Sequence, residues 1–311
     1  MISIIIYAFS TRDDLPELIN SFAIQHNVRE CFEIYIVYDS DFSDKRPLIP
    51  SDGYSEIDLK WIDIKDKGSR IGGMNAALHY ASGEYVCFLK EQDNVGSRYL
   101  SSLISKIEEG YDLIIPAHTR MPSKSDYVRG RNFDGFMSSN SLKYLVWGSM
   151  FRKGVIDEHS LHFHQSMEYG YDLCFTFEYM SVCDSMTIIS GSRYHSGFSD
   201  QLPLRTYSVE YSEFKKIKAI LEAFVKDKLI RTVSGIEAVL TVKAYALSRL
   251  IDAVYYDSSL SSKKRISILK SFDDELLPYV EHACGLSPGI LDYLLSHKLF
   301  FLYDIVRSVA G

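Results

Sequence analysis

The 311-residue sequence has no long run of lysine or arginine, and its net charge of −7 gives no basic field to collect nucleic-acid phosphates. Nucleic acid is therefore not an expected partner. It has no Cys-x-x-Cys pair. Its five cysteines, Cys31, Cys87, Cys174, Cys183 and Cys284, are odd in number and far apart, which argues against a zinc ribbon, dithiol redox chemistry or a disulfide framework. They read as reduced core residues. No segment reaches the roughly 20 apolar residues of a membrane-spanning helix. The opening Met1 to Tyr7 has neither a basic start nor a small-residue cleavage site, so it reads as a strand and not a signal peptide. A cytoplasmic protein is the expectation.

What is present is the balance of a soluble globular chain, 46% hydrophobic and 24% charged. The length suits one large α/β unit plus an appendage. Ile2 to Ala8 is a continuous β-branched apolar run, as in a strand buried on both faces. Asp13 or Asp14 can cap a helix with Pro16 in its first turn and Leu15, Leu18, Ile19 and Phe22 on one face. A strand from Phe32 to Val37 then runs into a polar loop at Asp39. The alternation continues with a strand from Ile57 to Ile64, a Gly-rich turn and helix from Gly72 to Ala81, and a strand from Tyr85 to Leu89. A helix from Ser97 to Ile107 and a strand from Asp112 to Pro116 follow.

Met121 to Leu142 lacks periodicity and reads as a long surface loop. Strands from Leu145 to Phe151 and Met186 to Ile189 flank a helix starting near Asp172. After about Leu204 the pattern is helical: Tyr207 to Ile230, Ser234 to Tyr256, Ser261 to Leu277, and another helix opening at Ser287-Pro288. The expected domains are residues 1–205, α/β, and residues 206–311, helical. The apolar stretch from Leu294 to Leu302 is expected mostly to pack inward, any excess covering a partner or the inner membrane face.

Several segments together carry a resemblance. They are the Tyr7-Ala8-Phe9-Ser10 strand end, the Asp39-x-x-x-Ser43-Asp44 loop, the Gly72-to-Leu78 segment and, most specifically, the phrase from Ala81 to Leu89. With Phe151 to Asp157 and Asp172-x-x-Phe175-Thr176-x-Glu178 they resemble family 2 glycosyltransferases of the GT-A fold, in phrasing near that of bacterial polysaccharide and wall-teichoic-acid enzymes. The likeness covers roughly the first two-thirds of the chain. It implies a Rossmann-like nucleotide-diphospho-sugar transferase domain with a mostly parallel mixed sheet, followed by a helical C-terminal region. It also implies inverting transfer of a sugar from a nucleotide diphosphate donor to a polysaccharide, glycolipid or teichoic-acid-type acceptor.

The family's site residues map here with departures. The resemblance puts Ala8, Phe9, Tyr38 and Asp39 around the nucleotide; Tyr38 either stacks on a base or packs in the core, and Asp39 either contacts ligand or caps its loop. Where the family carries Ala-Arg-Asn this chain has Gly73-Met74-Asn75, leaving Arg70 upstream as a candidate for the diphosphate. Asn75 is read as a helix-start hydrogen bonder or a ligand. The metal-binding Asp-x-Asp positions hold Lys90 and Gln92. A lysine repels Mg²⁺ or Mn²⁺ and an amide replaces a carboxylate poorly. Asp93, alone or with Glu91, is left either as a weak metal ligand or as a surface ion-pair partner of the lysine. Lys90 can instead place a fixed charge where the ion would sit.

The match puts Tyr171-Asp172 at the family's Glu-Asp motif, making Asp172 the base candidate and also a natural helix cap. His195 comes back toward the nucleotide or is a plain loop residue. His162 and His164 are spaced to share a strand face. Two classes of function follow: an active glycosyltransferase, or a non-catalytic relative that binds a sugar, a polymer, a sister glycosyltransferase or a second copy of itself.

Overall fold

A computed structural model describes residues 1–8, 14–25, 32–39, 57–117, 125–128, 146–167, 170–190, 194–195, 206–226, 233–272 and 297–310. Phe9, Cys31, Cys284, Asp13 and the helix expected at Ser287-Pro288 lie outside them. The chain separates into two compact units. The first comprises Met1–Phe136, Ser141–Gln165 and Phe175–Asp200, the second Met137–Asn140, Ser166–Cys174 and Gln201–Gly311.

The first unit is built on an eight-stranded mixed sheet. Its strands are β1 (Ile2–Ala8), β2 (Phe32–Tyr38), β3 (Asp58–Asp63), β4 (Tyr85–Lys90), β6 (Leu113–Pro116), β7 (Ser125–Val128), β8 (Met150–Arg152) and β9 (Ser185–Ile189). The order across the sheet is β3-β2-β1-β4-β8-β6-β9-β7. β3, β2, β1 and β4 run parallel, as do β6 and β9, while β8 is antiparallel to both its neighbours and β7 is antiparallel to β9. Every β2 residue is buried and six of seven in β1 are, because both faces of a parallel sheet are covered.

The helices of this unit are α1 (Leu15–Ala23), α2 (Arg70–Tyr80), α3 (Tyr99–Ile107) and α4 (Lys153–Glu158), with most of α5 (Tyr171–Val182). A second small sheet pairs β5 (Asn94–Val95) with β10 (Tyr194–His195). The core behind β4 is aromatic. Phe163 stacks on Phe175 at 4.4 Å, and Phe88 meets Phe163 edge-on at 5.0 Å. Phe151 meets Tyr179 edge-on at 4.9 Å.

Several expectations need correction. Part of the stretch read as a loop from Met121 to Leu142 is a strand, β7, which pairs with β9 and binds Thr187 Oγ1 through Asp126 Oδ1 at 2.6 Å. The strand expected from Leu145 begins only at Met150. Asp14 holds the N-cap position of α1 but in αR backbone and with no side-chain cap bond. α2 starts at Arg70, capped by the Ser69 hydroxyl accepting from Gly72 N at 2.9 Å, so the glycines lie inside the helix. There Gly73 has a use: a Cβ on it would come within 2.6 Å of Val37 Cγ1 and 2.9 Å of Ile64 Cγ2, so its hydrogen lets α2 lie close on β2.

The second unit contains the helices α6 (Tyr207–Lys226), α7 (Val233–Tyr256), α8 (Ser262–Ser271) and α9 (Phe300–Ala310). α6 and α7 pack together around a buried Arg249–Glu210 pair at 3.0 Å. Asp304 of α9 ties to α8 through Arg265 at 2.7 Å and the Ser262 hydroxyl at 2.5 Å. In the apolar stretch at the start of α9, Phe300 and Tyr303 are buried, whereas Leu299, Phe301 and Leu302 are exposed.

Candidate active site

The sheet order makes one place special. The chain builds β1, then β2 and β3 to one side, then returns past β1 to place β4 on the other. In parallel α/β sheets such a reversal opens a crevice outside the strands' carboxyl ends. The register pairs Ala8 with Tyr38, Tyr38 with Asp63, and Tyr7 with Lys90. Ala8, Tyr38 and Lys90 therefore stand in a row along that edge, with Asp39 just beyond it.

The edge is rigid at β4. Glu91 N donates to Tyr7 O at 3.1 Å and Asp93 N to Lys90 O at 2.9 Å, closing a tight turn across Lys90 to Asp93. Asp93 is only 3% exposed, and its Oδ2 accepts from Lys90 N at 2.8 Å and from the Tyr194 hydroxyl at 3.0 Å. The expected surface position of Asp93 is thereby corrected: it is a buried turn-former whose carboxylate accepts from its own backbone, as Asp does in Asx turns. Glu91 is buried as well, and its Oε1 accepts from Gln92 Nε2 at 3.0 Å.

The Lys90 ammonium rests 4.5 Å from the centroid of the Trp147 ring. Trp147 is itself buried and meets Tyr7 edge-on at 6.2 Å. Its backbone bridges to Phe88, and Gly148 N donates to Phe88 O at 2.9 Å. Gly148 adopts φ 79, and a Cβ there would strike the Tyr194 ring at 2.7 Å. The Tyr99 hydroxyl donates to Gly148 O at 2.5 Å and lies 3.2 Å from Cys87 Sγ. Burial pushes the Cys87 thiol up to about 12, against a smaller opposing pull from the Tyr99 hydrogen bond, so Cys87 is an inert core thiol.

β10 pairs with β5 so that His195 stands opposite Asn94, which brings the exposed His195 beside the end of the Lys90–Asp93 turn. Tyr38 is 8% exposed with its ring edge-on to Trp61 at 5.5 Å, which is the packing role. Arg70 opens α2 and is exposed. Asn75 is not at a helix start. It lies in the second turn of α2, donating through Nδ2 to Phe163 O and accepting through Oδ1 from Phe163 N, both at 2.8 Å. Its amide is a clamp on the chain at Phe163.

Leu161–His164 form no strand. His162 Nδ1 lies 3.0 Å from Ser160 O, and His164 pairs with Glu178 of α5 at 2.9 Å. Asp172 sits in the first turn of α5, where a carboxylate complements the helix dipole.

The residues at the Asp-x-Asp positions do not fit a divalent cation. Lys90 is cationic, Gln92 offers only an amide, and the Asp93 carboxylate is engaged by a backbone N–H and a phenol. Among the described residues no three His, Cys, Asp or Glu side chains converge as a metal site. Sequence reasoning missed Trp147, and it named Tyr7 only as part of the strand end that carries the resemblance. The signal that could have found Trp147 is its rarity, since the chain has two tryptophans.

Comparison with known proteins agrees with this architecture. A relative from Staphylococcus aureus, the poly(ribitol-phosphate) β-N-acetylglucosaminyltransferase TarP, is 24% identical over 242 residues, covering 74% of each chain. The teichoic acid poly(glycerol phosphate) polymerase of Staphylococcus epidermidis is 23% identical over 176 residues, covering 54% of this chain but only 24% of the polymerase. Among solved structures, S. aureus TarS 1–349 in complex with UDP-GlcNAc superposes with a TM-score of 0.65 at 15% identity, covering 99% of this chain and 91% of that one. Residues 3–164, from the second residue of β1 to the His164–Glu178 pair, match the model of Glycosyl transferase family 2. The switch-point edge, the GT-A architecture and that match over half the sequence agree: the chain belongs to glycosyl transferase family 2.

Proposed function

We propose that this protein transfers a sugar from a nucleotide diphosphate sugar to a teichoic-acid-type acceptor by inverting displacement. The observation that carries the reading is the switch-point edge at Tyr7, Ala8 and Lys90, within the segment that matches the family. Asp172 takes the proton from an acceptor hydroxyl as its oxygen attacks the anomeric carbon. The bond from that carbon to the diphosphate oxygen breaks, and the nucleoside diphosphate leaves. Arg70, Asp39 and His195 contribute polar contacts to the donor. Residues 1–205 form the transferase domain and 206–311 an appended helical domain.

Relatives that act on poly(ribitol phosphate) and poly(glycerol phosphate) support an anionic polyol-phosphate acceptor. The reaction takes place in the cytoplasm, at the inner membrane face. No helix among the described residues is long and apolar enough to cross a membrane.

The test incubates the purified protein with UDP-GlcNAc, UDP-glucose and UDP-galactose, each with poly(ribitol phosphate) or poly(glycerol phosphate), and measures acceptor-dependent release of UDP. Release with at least one pair is expected, and Asp172→Asn should lower it by about 10²- to 10⁴-fold without weakening UDP binding. Acceptor-independent release alone, or full activity in Asp172→Asn, refutes the assignment.

A further inference from the structure

We propose that Lys90, held over the indole of Trp147, supplies the charge that binds the donor's diphosphate, and that this protein binds its donor without a divalent cation. The inference rests on the nucleotide-sugar reading and goes beyond it by assigning the charge and its support.

A leaving diphosphate must be met by positive charge, and an oxygen-rich cage holding Mg²⁺ or Mn²⁺ is one way to bring it. Here the cage positions carry an ammonium and an amide. Of the two acids that follow, Asp93 is turned inward to Lys90 N and the Tyr194 hydroxyl, and the buried Glu91 accepts through Oε1 from Gln92 Nε2. A lysine can carry that charge itself if it is held in place, and two things hold this one.

Its backbone is fixed. The Asp93 carboxylate grips its N–H, and the next residue donates to Tyr7 O across the β1–β4 pair. Its ammonium lies over the face of Trp147, 4.5 Å away, where the ring quadrupole attracts a cation. An ammonium set this way carries three N–H donors suited to phosphate oxygens.

Trp147 is accordingly a positioning residue, and the structure invests in it. The indole is 5% exposed, with the edge of Tyr7 against it. The following Gly148 takes a left-handed φ of 79 that passes it under the Tyr194 ring, the ring whose hydroxyl also holds Asp93. Lys90, Asp93, Trp147, Gly148 and Tyr194 thus form one linked assembly at the switch point.

The test is isothermal titration of the full chain with UDP, GDP and CDP and with the matching nucleosides, in EDTA and in Mn²⁺. At least one nucleoside diphosphate should bind with the same affinity in both media. Lys90→Ala and Lys90→Gln should each weaken it about tenfold or more while leaving nucleoside binding unchanged. Trp147→Leu should weaken diphosphate binding about three- to tenfold, again sparing the nucleoside, and Trp147→Phe should restore most of it. The nucleoside arm separates loss of the charge from loss of the fold. Binding that appears only with Mn²⁺, or a Lys90→Ala variant as tight as the parent, overturns this inference and leaves the transferase reading standing. No nucleotide binding in either medium overturns both.

Discussion

Glu33, the second residue of β2, is 2% exposed, yet it is charged. Its Oε1 accepts from the Ser3 hydroxyl of β1 at 2.6 Å and from the Ser82 N–H and hydroxyl, just before β4, both at 2.8 Å. Its Oε2 pairs with Lys60 of β3 and accepts from the Tyr35 hydroxyl at 3.3 Å. One carboxylate therefore ties together the four parallel strands whose ends carry the site. Burial raises its pKa, but the hydrogen bonds from Lys60, Ser3 and Ser82 together outweigh that and bring it from an ordinary 4.5 down to about 2.

A drop of that size corresponds to about 3 kcal/mol of native-state stabilisation. Lys60 is 40% exposed, so water screens part of the attraction. For Glu33→Gln we therefore expect a loss on the order of 2–3 kcal/mol at pH 7, a large fraction of a typical domain's stability. The folded pKa is depressed. The contribution is therefore whole above the unfolded value near 4.5 and is lost as pH falls through about 2. Urea denaturation of parent and variant should show a gap that is full at pH 7 and closes progressively between pH 4.5 and 2. A gap of constant size across that range would refute the electrostatic reasoning and leave only a packing effect.

Two further outcomes follow from single side chains. Gly73→Ala should destabilise by about 1–3 kcal/mol, read as a lowered urea midpoint, because its methyl meets Val37 and Ile64 inside contact distance. Asn75→Ala should cost about 1–3 kcal/mol by leaving the Phe163 N–H and C=O without their amide partner. Hydrogen exchange at the Phe163 amide should quicken in it, and unchanged protection there would show that the clamp does not matter.

The strands of the first half were legible because burial on both faces writes a strand as an unbroken apolar run, as in Ile2 to Ala8 and Tyr85 to Leu89. β7 was not. Four residues, Ser125–Val128, are too few to establish a period, and their pairing with β9 is a fact of tertiary structure. The sequence predicts α2 from Gly72 whereas the helix starts at Arg70, since glycines signal a turn unless close packing requires them inside a helix.

At the site, the chemistry was legible by residue type and not by partner. Lys90 and Asp93 are near neighbours in sequence, which suggests an ion pair. The sequence does not show that the turn delivers the carboxylate to the backbone N–H of Lys90, or that the lysine ammonium lies over an aromatic ring far along the chain. Asn75 shows the same limit: its amide type was noticed, but its partner Phe163 could be known only once the chain had folded back.

The reversed direction of β8 has a consequence for how such a site can diverge. Because β8 runs opposite to β4, it is the residues entering this strand, Trp147 and Gly148, that arrive at the rim, and those leaving it begin α4 on the far side. A strand laid the other way would have offered its exit instead. Substitution among the few residues ahead of Met150 can therefore retune the polarity of the rim while the hydrogen-bond ladder of the sheet stays in place.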